Sequence, residues 1–320
     1  MKTTAKSLLI VSALATMTLF SCKKENNITP EAPTPSTPAS LSALFSEKAA
    51  PKQTFTINAG QFQSITGAKG TKLNIQPGSF KNQSGQVVSG NVTLEMREMF
   101  SKSDMIFSGA TTTSNGQLLV SGGELYIQAF QNGSPLSLTS STTVEAQVRT
   151  NNNAGPMQEF YSNTSFETPE GLDWWLADST NTDTIYTDYD SSDFVEYYYF
   201  YLDQMNWINC DYFWDSNGPF TDIEVNTGTQ FDGTNCTVYI SFDGINSVLS
   251  LGDYDLNHLF NYGYPSIPQG MNVHIIAIGT LNGQYYSAIV PATLGNNFST
   301  NVTLTATTLA QITADVNALP

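Results

Sequence analysis

Beyond Arg149 the chain contains no lysine and no arginine. Residues 22–149 hold ten Lys/Arg against eight Asp/Glu, whereas residues 150–320 hold twenty Asp/Glu and nothing to balance them. A surface that acidic repels phosphate backbones and anionic headgroups, so nucleic acid is excluded as a partner. Histidine is equally scarce: His258 and His274 stand alone and far apart. HExxH, GxSxG and phosphate-cradling glycine loops are all missing, which leaves the common metalloprotease, esterase and nucleotide chemistries without an anchor. The two histidines and two distant cysteines do not make a metal site, and no cofactor is expected. A membrane-spanning helix needs roughly 20 apolar residues; the uncharged run Ser7–Phe20 has fourteen.

That run follows Lys2 and Lys6, the basic-then-apolar order of a secretory signal peptide. It ends Leu19-Phe20-Ser21-Cys22, which resembles the lipobox of bacterial lipoproteins. The resemblance implies cleavage after residue 21 and lipid attachment at Cys22, with an ordinary cleaved signal as the alternative. Lys23, where an aspartate would signal inner-membrane retention, and the start Cys-Lys-Lys-Glu are similar to outer-membrane lipoproteins of the Bacteroidota. The expected location is therefore the outer membrane, facing periplasm or exterior, with the lipid anchor as the membrane contact. Two or more acyl chains hold durably at roughly 0.8 kcal/mol per buried methylene. Residues 22–53 read as a Pro-rich tether, with prolines at 30, 33, 35 and 38 favouring extended chain. Within it, residues 39–49 place Leu41, Leu44 and Phe45 on one face of a short helix.

With Cys22 committed to lipid, Cys210 and Cys236 remain as an even pair in an oxidising compartment. A disulfide between them would close a loop of roughly 25 residues and contribute about 3 kcal/mol in the chain-entropy model. Two buried free thiols are the alternative.

Downstream, short runs alternate apolar and polar residues. In Asn91–Met96, Val92, Leu94 and Met96 share one face and Thr93 and Glu95 the other, the period of a half-buried strand. Asn132-Gly133 and Asn282-Gly283 between such runs mark hairpins. After residue 50 the nearest approach to a helical period is 308–319. The expected fold class is all-β, with two or three sandwich-like domains.

Residues 54–150 resemble a ZU5-like β domain, carried by Gly70–Phe80, Val87–Met96 and Ser134–Leu138. Such domains serve mostly as interaction or structural modules, and Phe80, after Pro77-Gly78, is expected to plug the sandwich. Some relatives cleave themselves at His-Phe-Ser, but no Phe-Ser pair here follows a histidine. Residues 155–320 form an acidic, aromatic-rich region. There Tyr197, Tyr199 and Tyr201, with Trp207 and Trp214, are a candidate ligand platform. Sugars stack their C–H faces on rings while neighbouring carboxylates accept their hydroxyls, so a glycan or protein ligand is one reading of these rings. Filling of an inter-domain core by these rings is the competing reading. Asp188, Asp190 and Asp193, and Asp253 and Asp255, offer alternating oxygens, yet neither segment has the glycine and glutamate of an EF-hand loop. The sequence thus points to a lipid-anchored binding or structural module. The alternative is a hydrolase using acidic residues of the C-terminal region; no catalytic residue is assigned.

Overall fold

The structure is a computed structural model that describes residues 39–140, 143–150, 155–162, 172–177, 185–214, 218–255, 259–263 and 266–320. The signal peptide, Cys22, the proline-rich part of the tether and His258 lie outside the described residues. The fold is all-β, with three short helices among the described residues. Among the described residues no helix is long and apolar enough to cross a membrane.

Two sheets make the first sandwich. A central sheet runs, in spatial order, Gln53–Asn58, Asn91–Met99, Gln117–Gln131, Asn206–Phe213, Gln158–Ser162 and Trp175–Leu176. An outer sheet runs Tyr186–Asp190, Val195–Tyr201, Val144–Arg149, Lys72–Ile75 and Gln63–Thr66. Alternation fixes which side faces inward. Val92, Leu94, Met96, Ile127 and Ile208 of the central sheet meet Leu73, Ile75, Val144, Ala146, Tyr198 and Phe200 of the outer one in a single core. Phe80 is fully buried in that core just after Gly78, whose φ of +76° suits a residue without Cβ. Strand pairing crosses the division expected at residues 150–155: Val144–Arg149 pairs with Val195–Tyr201, and Gln117–Gln131 with Asn206–Phe213. The break in charge near Arg149 is a change of surface composition within one sandwich.

The second sandwich packs a sheet of Asp253–Tyr254, Leu259–Asn261, Ile223–Asn226 and Phe298–Asn301 against one of Val248–Ser250, Cys236–Phe242, Asn272–Leu281, Gln284–Thr293 and Thr305–Thr307. Asn132 and Asn282, each at φ +52°, precede glycines with positive φ in tight hairpins, as those dipeptides dictate.

A third core joins the sandwiches. It gathers Met99, Leu119, Phe160 and Trp207 from the far side of the central sheet and Tyr239, Val248, Ile276 and Ile278 from the second sandwich. The helices Leu41–Lys48, Lys102–Ser108 and Leu309–Asn317 supply Leu44, Phe45, Met105, Ile106, Phe107, Ile312 and Val316. The end of the expected tether is thus a docked helix, capped by Ser40, whose hydroxyl accepts from the Ala43 N–H. The helix at 102–108 is too short to show a period. Its signal is a capping box, Ser101 with Asp104, closed by Gly109 in the left-handed region.

Candidate functional site

Five consecutive aromatics must divide between two faces of a strand, and here the division separates packing from display. Tyr198 and Phe200 point into the first core opposite Val148 and Ala146. Tyr197, Tyr199 and Tyr201 lie on the outside of the outer sheet, opposite Arg149, Gln147 and Glu145. The neighbouring edge strand adds Tyr186 beside Tyr199 and Asp188 beside Tyr197. Lys72 and Asn74 continue the face on the far side of Val144–Arg149, opposite Gln147 and Glu145.

One end of this face is locked by charge. Lys72 Nζ bonds Asp190 Oδ2 at 2.7 Å and Asp193 Oδ2 at 2.9 Å and sits 4.4 Å from the centre of the Tyr197 ring. The Tyr197 hydroxyl donates to Asp193 at 2.6 Å. Burial pulls the Lys72 pKa down, but its bonds to Asp190, Asp193 and Tyr197 outweigh that and hold it above its ordinary value. Lys72 lowers Asp190, and the Tyr197 hydroxyl followed by Lys72 lowers Asp193. The segment that offered alternating oxygens for calcium is therefore a hairpin whose carboxylates Asp190 and Asp193 are spent on a lysine. Tyr197, fully buried beneath this cluster, is not open to a ligand.

The other end is open. Tyr186 and Tyr199 stack with centroids 5.3 Å apart and planes 10° from parallel, and Tyr186 is 52% exposed. Burial, then nearby carboxylates, raises the pKa of both phenols, so they stay protonated at neutral pH. Half-buried Tyr201 lies across from Glu145, whose Oε1 accepts from Gln147 Nε2 at 2.7 Å and Asn74 Nδ2 at 3.0 Å. A ring ledge beside a fixed carboxylate and amides is what a polyhydroxylated ligand requires.

The two tryptophans expected on the platform are elsewhere. Trp207 is buried in the junction core, edge-on to Tyr126 at 5.3 Å and Trp174 at 6.5 Å. Trp214 is half-buried against the core of the second sandwich. Both belong to packing. Tyr186, which completes the stack, was missed; Tyr186-Thr187-Asp188-Tyr189-Asp190 shows no period of two, and only its pairing with Val195–Tyr201 makes it a strand.

The expected disulfide is also corrected. Cys210 and Cys236 are free thiols, and they sit in the cores of different sandwiches. Burial drives the Cys210 pKa well above its ordinary value and pushes Cys236 up to about 12, which makes both inert. Mass mapping without reductant should find two thiols that alkylate only after unfolding; a Cys210–Cys236 peptide would refute this. His274 lies on Asn272–Leu281 with Nδ1 2.8 Å from Asp243 Oδ1, remote in sequence from the tyrosine ledge.

Searches against protein-family models and against curated proteins returned no match.

Proposed function

We propose that the protein is a lipid-anchored binding module of the cell envelope, and that the open end of the outer sheet holds a glycan. The observation that carries this reading is the stacked pair Tyr186–Tyr199, presented beside Glu145 on a solvent-facing sheet. Tyr198, Phe200, Trp174 and Trp207 are buried in the cores, whereas Tyr186 is one of several exposed rings and the one that stacks on a second tyrosine beside Glu145. A stacked pair on a polar sheet, with Tyr186 exposed and Tyr199 half-buried, is suited to the apolar side of a sugar ring. The ZU5-like pattern of residues 70–80, 87–96 and 134–138 falls within the same sandwich and agrees with a binding rather than a catalytic role.

A glycan array probed with wild type and with Tyr199→Ala tests the assignment. Loss of one stacking ring should weaken any positive signal roughly tenfold, a cost of about 1.4 kcal/mol. Wild-type binding that Tyr199→Ala leaves intact would place the ligand elsewhere, and an array with no wild-type signal would remove the glycan reading altogether.

The address rests on Cys22. Cys22→Ser should move the protein from the membrane fraction to the soluble one, because no other acylated residue would hold it there. Retention of the variant through a carbonate wash would defeat the lipid-anchor reading.

A further inference from the structure

Resting on the glycan reading, we infer that the site selects neutral or amino-bearing sugars and rejects uronic-acid and sulfated ones, with the ligand centred on Glu145 rather than on the basic residues of the same sheet. The hydrogen-bonding polarity of the face carries this. Asn74 Nδ2 and Gln147 Nε2 both donate to Glu145 Oε1, at 3.0 and 2.7 Å. The carboxylate is thereby oriented, with Oε2 left as an acceptor among the described residues, while each amide has turned one of its two N–H donors away from the ligand. Lys72, the cation nearest the ledge, spends itself on Asp190 and Asp193.

What sets the polarity at Glu145 is the negative charge of its carboxylate, whose remaining oxygen calls for a donor. A sugar hydroxyl or ammonium supplies the missing donors. A carboxylate or sulfate supplies none, and would have to lose water beside Glu145 and on the same face as Asp188. Arg149, exposed and without an ion-pair partner among the described residues, is the feature of the face that would favour an anion. It lies opposite Tyr197, in the row beyond Tyr199 and away from Glu145, so the two charges mark opposite ends of the face.

That separation makes the inference testable by calorimetric titration at physiological salt. Probes are the neutral polysaccharides laminarin and mannan, chitosan oligomers, and the anionic alginate and heparin. Wild type should bind one or more neutral or amino glycans and neither anionic one. Glu145→Gln should weaken that binding roughly tenfold or more, as expected when a charged acceptor is lost. Arg149→Gln should leave it unchanged. Thermal melting of each variant separates lost binding from lost fold. Tight binding of alginate or heparin that Arg149→Gln abolishes would overturn the inference and leave the tyrosine ledge standing as a glycan site. Unchanged affinity in a folded Glu145→Gln would also overturn it. If wild type binds none of the probes, the glycan reading itself fails and takes this inference with it.

Discussion

Replacing Glu124 with methionine should raise the melting temperature at pH 8 and flatten its dependence on pH. Glu124 is fully buried on the junction side of the central sheet, opposite Met99 on one neighbouring strand and Asn209 on the other. Neither of its carboxylate oxygens has a hydrogen-bond partner among the described residues. Burial, then Asp211, then Asp104, raises its pKa well above the usual carboxylate range. Asp211, also fully buried, is pushed up to about 7 by desolvation, although Ser121, Asn209 and the Gly122 backbone pull it back.

For an acid whose folded pKa exceeds its unfolded value of about 4, the folded state holds the extra proton. The stabilisation is complete below the unfolded pKa and is lost as pH rises through the folded one. Wild type should therefore melt several degrees lower at pH 8 than at pH 5. Exchanging a buried carboxyl with no partner among the described residues for an apolar side chain of similar volume removes a desolvation cost of about 1–3 kcal/mol. At this size each kcal/mol shifts the melting point by about 2–4 °C. Scanning calorimetry of wild type and Glu124→Met at both pH values decides the matter. A variant that melts lower than wild type at pH 8 would show that the carboxylate has a stabilising partner. Glu98 is the internal contrast: it is just as buried, yet it accepts from the Lys69 and Thr71 N–H groups and from Gln53 Nε2 at 2.8–2.9 Å. Its removal should destabilise.

Trp207→Ala should destabilise by about 3–5 kcal/mol, the range for deleting a large buried aromatic. The indole is 1% exposed and packs edge-on to Tyr126 and Trp174 in the core that joins the two sandwiches. Because that core also takes side chains from all three helices, the cavity would loosen the junction as well as the central sheet. Denaturant unfolding measures the loss. Trp207→Phe, which fills most of the volume, should keep both fold and ligand affinity. A folded Trp207→Phe that no longer binds glycan would return the tryptophan to the platform.

The strand alternation in Asn91–Met99 and the two Asn-Gly hairpins were legible because each is local: side-chain period and turn chemistry act over a few residues. What stayed hidden depends on distant partners. Tyr197 through Tyr201 announced two occupied faces, but which tyrosine is open is decided by Lys72, more than a hundred residues earlier, which with Asp193 covers Tyr197 and leaves Tyr199 clear. Trp207 alternates correctly with Asn209 and Asp211, yet the side it shows is buried only because a second sandwich packs there. The same holds for the cysteines, whose even number suggested a bond that their separate cores forbid. The helix at 102–108 escaped notice because one capping box and one C-terminal glycine are its whole signal.

The central claim is that a glycan rests on Tyr186, Tyr199 and Tyr201 beside Glu145. Hydrogen exchange followed by mass spectrometry, with and without a bound neutral glycan, tests it most directly. Slower exchange should be confined to the strands 186–190, 195–201 and 144–149, with the second sandwich unchanged. Protection that falls instead on residues 218–320, or none at saturating glycan, would contradict it.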